Sequence, residues 1–482
     1  MEDDAGLFTG TKTQLLAATF GTLFAISDGM SYGWTAPMIP YLISKNSHIK
    51  TTKFEAEWLE SCLMIGSFLG LPFTIYLVDK IGRKRSLLLA AVLSLVSWIV
   101  IASCQSMVWL FIARFTFGVT ANTSFVAAPM YVAEIADHKI RGFLSSIIYL
   151  NMLFGLIIVY SVGPFLPFYV SPIIGILVLL SELIVFPFMP ETPYYLLSKG
   201  KHAEAKKSLQ YFRPNTDISI ELKDITKAVI RQKTETSRFQ DLFLVKGNRK
   251  AIIIMAILDA GQHLCALSVI LMNLHSILEA AGSIYIDSSK AAIIFGVIMF
   301  VAACVSSVKV DQYGRRALLI ISLILTGLCL GTLALYFNLK LSGYNVQAVS
   351  WIPIVAVMFY AACFKIGIGI VPIVLTAEIF STNMKALGMA TSDLMYVVGS
   401  IISLQIYQWL AYSYGLHLPF YLFAASSFVI ALFTYLYIPE TKGKTLEEIQ
   451  YLLKGEVPKT SSLLNLISSK SYNTFLTNSI TN

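Results

Sequence analysis

The feature that most limits the fold of this chain is a series of long apolar runs. About twelve of them reach roughly 20 residues, the length that an α-helix needs to cross the ~30 Å hydrocarbon core of a bilayer. They begin near Leu15, Glu57, Ser86, Val108, Gly142, Phe168, Ala251, Lys290, Ala317, Ala348, Ala386 and Leu418. A mean hydropathy of +0.70, with only 13% charged residues, excludes a soluble domain. The sequence therefore predicts an all-α integral membrane protein with twelve transmembrane helices.

A hydrophilic interval at 191–250 divides these runs into six and six. It carries 13 Lys and Arg residues against 7 Asp and Glu residues, and so holds +6 of the formal net charge of +8. We expect this interval to be a water-exposed linker between two six-helix bundles, at 15–190 and at 251–439. The remaining segments, 1–14 and 440–482, then form a short N-terminus and a C-terminal tail.

Lys and Arg are concentrated in the loops on one side of this alternating topology. The positive-inside rule places those loops, the linker and both termini in the cytosol, and we expect the plasma membrane as the location. Loops that face anionic lipid account for the basic charge, so no nucleic-acid partner is expected.

The first 14 residues are acidic, unlike a signal peptide, and the six cysteines are scattered, which implies no disulfide framework. No metal or cofactor is expected, and we expect a monomer.

Short charged motifs recur at matching places in the two halves. The sequence D-x-x-G-R follows the second run and the eighth, an acid and a base seven residues apart follow the fourth and the tenth, and P-E-T follows the sixth and the twelfth. Parallel repeats of this kind are one way in which membrane transporters are built. The repeat indicates two related bundles.

We interpret the charged residues of these motifs as a cytosolic gate. One exposed ion pair contributes only about 0–1 kcal/mol, but several together could bias a two-state equilibrium by ~1–3 kcal/mol. They would stabilise the arrangement that is closed to the cytosol; alternatively, they only set the topology and hold short loops. The set is Asp79, Arg83, Arg114, Glu134, Arg141, Glu191, Asp311, Arg315, Arg316, Glu378, Lys385 and Glu440.

The chain resembles the sugar-porter family of the major facilitator superfamily from Gly29 to about Ile449. The resemblance rests on the motifs above, on P-x-Y-x-x-E-I-A-x-x-x-x-R-G ending at Gly142, and on P-E-T-K-G-K-T-L-E-E-I beginning at Pro439. The segment from Glu55 to Trp58, followed by Gly66 and Gly70, is similar to the insect trehalose-transporter branch. The resemblance implies a carrier that works by alternating access between two six-helix bundles.

The same resemblance indicates six substrate-binding positions, and most of them depart from the family. The family segment Q-Q-L-S-G-x-N reads here Gln262, His263, Leu264, Cys265, Ala266, Leu267 and Ser268. A tyrosine stands at two further positions where the family has other residues, and a lysine where many sugar porters have Glu. The expected site residues are Tyr149, Gln262, His263, Ser268, Lys365 and Tyr396. We expect them to line one cavity near mid-membrane depth, where the two halves meet.

Four ionisable residues inside apolar runs also attract attention, namely Asp28, Asp259, Lys365 and Asp393. Such groups usually face a cavity or pair with one another. The family's proton-coupling acid belongs at Ser31, which argues against proton symport.

The leading interpretation is a facilitative carrier of a sugar, trehalose or hexose. A non-transporting nutrient sensor and a carrier of a non-sugar solute remain as alternatives. No phosphate-binding loop is complete and no HExxH motif occurs, so we expect no enzymatic activity.

Overall fold

The computed structural model describes residues 2–137, 140–214, 218–234, 240–380, 384–442, 444 and 446–454. Within these ranges every regular element is a helix, which confirms the expected all-α fold. Eight helices form the N-terminal half and four short helices form the linker. The N-terminal half comprises α1 (Glu2–Gly21), α2 (Phe24–Gly33), α3 (Thr35–Ile43), α4 (Lys53–Ile81), α5 (Arg83–Ser103), α6 (Met107–Ile135), α7 (Arg141–Val162) and α8 (Val170–Val185). The linker comprises α9 (Pro193–Ser198), α10 (His202–Phe212), α11 (Ser219–Thr234) and α12 (Asp241–Leu244).

Eight further helices form the C-terminal half, and a last one follows in the tail. They are α13 (Lys246–Leu264), α14 (Leu267–Ala281), α15 (Ser288–Tyr313), α16 (Arg315–Leu341), α17 (Ile352–Ile366), α18 (Val371–Ile379), α19 (Lys385–Tyr414), α20 (His417–Tyr437) and α21 (Leu446–Lys454). In the described part of the chain, eleven segments are long and apolar enough to cross a membrane. The twelfth expected span, near Leu15, is divided among α1, α2 and α3 and is not one of the eleven.

Two single-residue turns mark the repeat that the sequence motifs predict. Gly82 joins α4 to α5 with φ at 101°, and Gly314 joins α15 to α16 with φ at 86°. Only glycine adopts such angles at little steric cost, which explains the glycine in both copies of D-x-x-G-R. The Gly82 turn lies at the end of the bundle that carries the linker, because the Tyr195 hydroxyl of α9 donates to the carbonyl of Lys80. The Gly314 turn lies at the same end, because α13 and α14 lead away from the linker and α15 returns. We call this end the linker face and the other end the opposite face.

Glycines also bring α2 and α7 into backbone contact within the N-terminal half. A Cβ atom at Gly29 would overlap the carbonyl oxygen of Met152, and one at Gly155 would overlap that of Ile26. Small residues at such crossings let two helices approach closely, which is how membrane helices associate without a hydrophobic driving force. The small residues of the first span therefore pack it against the fifth.

The two halves meet most extensively along three pairs of helices, α3 with α14, α4 with α19, and α7 with α15. Several hydrogen bonds at this interface lie toward the opposite face. The Tyr160 hydroxyl donates to the carbonyl of Leu271 at 2.5 Å, and the Gln405 amide donates to the Ser61 hydroxyl at 2.7 Å. The opposite face is therefore closed in this structure.

Candidate functional site

A break in the seventh span lies at the centre of the candidate site. Helix α13 ends at Leu264 and α14 begins at Leu267, with Ala266 between them at φ 68°. That left-handed conformation costs a residue with a Cβ about 1–2 kcal/mol, and the family motif has glycine at this position. The tenth span is also interrupted, between α17 and α18. Discontinuous helices of this kind commonly form solute sites in transporters.

Ser268, in the first turn after this break, is the meeting point of three polar side chains. Its hydroxyl is hydrogen-bonded to the Tyr32 hydroxyl at 2.6 Å, to His263 Nδ1 at 2.6 Å and to the Ser400 hydroxyl at 2.7 Å. Because Tyr32 belongs to the N-terminal half and the others to the C-terminal half, the cluster joins the two halves. We call these four residues the Ser268 cluster.

Aromatic rings extend the Ser268 cluster toward the linker face. The ring of Tyr396 packs edge-to-face on His263 with centroids 4.1 Å apart, and it approaches Phe125 of the N-terminal half at 6.2 Å. Such arrangements suit the quadrupoles of the rings. Three of the six expected site residues are thus joined by direct contacts, because His263 touches both Ser268 and Tyr396.

Lys365 and Tyr149 form a second contact between the halves. The Lys365 ammonium lies over the Tyr149 ring at 4.4 Å from its centroid, and the lysine is only 3% exposed. Among the described residues, no carboxylate forms an ion pair with it. A buried ammonium group that lies over an aromatic ring keeps its N–H groups available as hydrogen-bond donors.

Gln262, the last of the six expected site residues, points toward its own helix. Its amide donates to the carboxylate of Asp259 at 3.5 Å, a long hydrogen bond within α13, and it is buried. The expected residues therefore fall into two contact groups plus Gln262, all at the interface of the halves or next to it. The sequence did not point to Ser400 or to Tyr32.

The charged motifs of the N-terminal half form one cluster at the linker face. The Arg83 guanidinium is 2.9 Å from Glu134, whose other oxygen accepts a 2.5 Å hydrogen bond from the Thr192 hydroxyl. The backbone N–H of Lys84 donates to both oxygens of Glu191, at 3.1 and 3.2 Å. The Glu191 carboxylate thus caps the start of α5, where the helix dipole favours negative charge.

The C-terminal half repeats this cluster residue for residue. Arg315 is 2.9 Å from Glu378, which also accepts from the Thr441 hydroxyl at 2.7 Å. Glu440 caps α16 by accepting from the backbone N–H groups of Arg315 and Arg316, at 2.9 and 3.1 Å.

The same backbone hydrogen bonds set the pKa of Glu440. Partial burial would raise it, but the N–H donors, which also include Lys442, outweigh burial and hold the pKa below its usual 4.5. Because a depressed carboxyl pKa stabilises the fold above the unfolded value, this contribution is present at neutral pH. It is lost only as the pH falls through the folded pKa.

The gating role expected of these charges stays a prediction, and the structure shows only where their described partners lie. The described ion pairs, Arg83 with Glu134 and Arg315 with Glu378, each join helices of one half and not the two halves. A motif fixes the type and spacing of its charges but does not say from which half a partner comes. The side chains of Arg141, Asp311 and Lys385 lie outside the described residues, and Asp79 is exposed.

Arg114 is not part of the linker-face set, contrary to expectation. It lies on α6 about 20 residues before Glu134, which at 1.5 Å per residue separates the two by about 30 Å. Its fully buried guanidinium donates to the carbonyl of Ser31 and to that of Leu59. Arg114 therefore ties α6 to α2 and α4 near the closed face.

A set of buried and partly buried polar contacts closes the opposite face, and we call it the opposite-face seal. Besides the bonds at Tyr160 and Gln405 given above, the Asn273 amide donates to the Glu60 carboxylate at 3.0 Å, and the Gln408 amide donates to the carbonyl of Glu57 at 3.0 Å. Each bond pairs a residue of one half with a residue of the other. Breaking the seal would therefore separate the halves at this face.

The comparison with known proteins decides the family. The family model described as "Sugar (and other) transporter" matches residues 14–453. The chain belongs to this sugar transporter family. The family expected from the motifs is thereby confirmed.

Two similar relatives come from insects, as the sequence indicated. The facilitated trehalose transporter Tret1 of Aedes aegypti is 27% identical over 461 residues, covering 94% of this chain. The chain spans only 57% of that relative's length. Tret1 of Bombyx mori is 28% identical, with 92% of this chain and 87% of the relative covered.

Solved structures place the chain in the same fold as a bacterial xylose transporter. An inward-open structure of the xylose transporter XylE from E. coli matches with a TM-score of 0.74 at 22% identity, covering 91% of this chain and 98% of that one. Another structure of the proton:xylose symporter XylE, described as a major facilitator superfamily protein, matches with a TM-score of 0.72 at 21% identity. At this identity the likeness shows the fold, a major facilitator arrangement.

Proposed function

We propose that this protein is a facilitative carrier that moves a sugar, trehalose or a hexose, across the plasma membrane by alternating access. The observation that carries the proposal is the combination of the opposite-face seal with the Ser268 cluster. The seal joins the halves on one side of the membrane, and the Ser268 cluster lies beside a broken helix where both halves contribute polar groups. Alternating access needs such contacts, because they are made in one state and broken in the other.

The proposed orientation has the linker face in the cytosol, as the charge distribution of the loops favours. The structure then corresponds to a state closed to the outside. The proposed site takes hydroxyl groups of the sugar on the Ser268 cluster and on Lys365, with Tyr149 and Tyr396 as aromatic surfaces. The relatives named facilitated trehalose transporters support the sugar class. Ser31, at the place of the family's proton-coupling acid, supports facilitation without proton coupling.

One observation favours a second candidate, a carrier of a small organic anion. The Lys365 ammonium is buried and has no carboxylate partner within the described part of the chain. A negatively charged solute would supply the missing countercharge, whereas a neutral sugar would meet it only with hydroxyl oxygens.

Uptake into proteoliposomes separates these possibilities. We expect radiolabelled trehalose or glucose to equilibrate across the membrane without concentrating when a proton gradient is imposed. Ser268→Ala should slow this flux at least tenfold, because it leaves the hydroxyl of Tyr32 and the imidazole of His263 without a shared partner. Ser426→Ala, which removes an exposed hydroxyl bonded only to its own helix, is the matched control.

Each other outcome has a definite meaning in this assay. Uptake of labelled organic anions but of neither sugar would establish the second candidate. Accumulation of sugar above equilibrium with the proton gradient would contradict facilitation. Absence of flux for every solute, in protein that folds and reconstitutes normally, would refute both carriers and leave the sensor.

A further inference from the structure

A cavity of about 650 Å³ opens on the opposite face, outside the opposite-face seal. Its walls come from both halves, from the ends of α3 and α14 and from the loops before α6 and α8. The volume lies within the ~300–1,000 Å³ of small-molecule sites, so a monosaccharide or disaccharide fits by size. We call this cavity the vestibule. It is separate from the Ser268 cluster, none of whose residues lines it.

One wall of the vestibule is an aromatic surface built around Phe168. The Phe168 ring lies 5.7 Å from that of Tyr41, 4.7 Å from that of His48 and 5.7 Å from that of Trp34, and its side chain is 8% exposed. The Tyr41 hydroxyl is hydrogen-bonded to His48 at 2.9 Å, which fixes the two rings against each other. A fixed aromatic face can pack against the C–H face of a sugar ring and excludes water from it.

The other half supplies polar groups, and His275 on α14 is the most informative of them. It lines the vestibule, is 4% exposed, and neither ring nitrogen has a hydrogen-bond partner in the described structure. Its ring packs edge-to-face on Tyr160 at 5.5 Å. A buried polar group without a partner costs about 1–3 kcal/mol, so the imidazole favours a ligand that both donates and accepts hydrogen bonds. A hydroxyl group does both.

Further hydrogen-bonding groups stand around the vestibule. Gln105, before α6, offers an amide, and Ser288 and Ser289, in the first turn of α15, offer hydroxyls. Glu279 lies one turn beyond His275 on α14 and adds a carboxylate, which accepts hydrogen bonds from hydroxyl groups and repels anions. The combination of one aromatic wall with neutral and acidic acceptors suits a neutral polyol better than an anion or an apolar molecule.

We propose that the vestibule is a second sugar-binding site, which takes a neutral mono- or disaccharide with its ring on Phe168 and a hydroxyl on His275. The choice of sugar rests on the proposed function. Because Phe168 and His275 belong to different halves, the site is complete only while the opposite-face seal is made. A bound sugar therefore stabilises the state that is closed at this face.

Equilibrium dialysis of the purified full-length protein against labelled trehalose, and separately against labelled glucose, tests the proposal. We expect two sugars bound per protein. His275→Leu should weaken one of the two sites at least tenfold, and Gln105→Ala, an exposed and structurally mild change, should weaken the same site about threefold or more. His417→Leu, which removes a histidine outside the vestibule, is the matched control. Ser268→Ala should weaken only the other site.

The outcomes separate the vestibule from the proposed transport function. One bound sugar, lost in Ser268→Ala and unaffected by His275→Leu and Gln105→Ala, would overturn the vestibule site and leave sugar transport intact. Binding that is lost in both vestibule variants, in a protein that transports no sugar, would support the vestibule and overturn the transport substrate. No binding of either sugar, in a protein that transports one of them, would overturn the vestibule site.

Discussion

The hydrogen bond between Asn273 and Glu60 offers the most direct test of the opposite-face seal. Asn273 on α14 donates to the buried Glu60 carboxyl on α4 at 3.0 Å, across the interface of the halves. Such a bond contributes about 1–3 kcal/mol, the higher value applying if the carboxyl is ionised. Because the bond exists only while this face is closed, Asn273→Ala raises the free energy of that state alone. We expect a shift of about 5- to 150-fold toward the state open at the opposite face.

A cysteine at Ser61 reports this shift. Ser61 is buried in the seal, where it accepts a hydrogen bond from Gln405, and it becomes accessible only when the halves separate. In a protein whose six native cysteines are replaced, a membrane-impermeant maleimide added at the opposite face should label Ser61→Cys at least fivefold faster with Asn273→Ala than without it.

Asn338→Ala is the matched control for this experiment. It also removes an amide, but one whose described partner, Tyr421, belongs to the same half. Its labelling rate should equal that of the Ser61→Cys parent. If Asn273→Ala also leaves the rate within twofold of the parent, the bond does not hold the closed state and the reasoning is refuted.

Three further predictions follow from the described contacts. Lys365→Met should weaken solute binding about tenfold or more in a direct binding assay, because it removes charged donors worth about 1.5–3 kcal/mol; unchanged affinity would place the lysine outside the site. Gly29→Ala should destabilise the protein by about 1–3 kcal/mol through overlap with the facing backbone, whereas Gly142→Ala, whose new Cβ meets nothing within 4 Å, should leave the melting temperature unchanged. Glu134→Gln combined with Glu378→Gln should lower the melting temperature, yet change the accessibility of cysteines at the linker face less than twofold, because each of the two ion pairs joins helices of a single half. A tenfold change would show that these charges gate.

The repeated motifs predicted more of the fold than of the site. The D-x-x-G-R glycine and the P-E-T carboxylate each occur at matching places after the helices of both halves, so the sequence already implied two equivalent clusters. In the structure, Glu191 and Glu440 cap equivalent helices. The partners of Ser268 were beyond prediction. Ser268 meets Tyr32 and Ser400, which are 236 and 132 residues away and belong to no motif.

Arg114 shows that a charged motif does not by itself predict at which end of the bundle a residue lies. Its charge suggested the same set as Glu134, yet the length of one helix separates them, and its partners are backbone carbonyls on other helices.

The helix break at Ala266 could not be predicted from the residue itself. Alanine favours helices, and only the packing of the whole bundle imposes a left-handed angle on it.

The location of the two linker-face clusters has a consequence for biosynthesis. Each cluster draws its arginine and glutamate from one half and its threonine from the segment that directly follows that half, so the first is complete once Thr192 has been synthesised. Gln14 then holds the chain just beyond it, by donating to the carbonyl of Phe212 at 3.1 Å. The N-terminal half can therefore reach its native packing while the ribosome is still translating the second half, as independent folding units do. A nascent chain that pauses in the linker would already be protected from misassembly with the helices that follow.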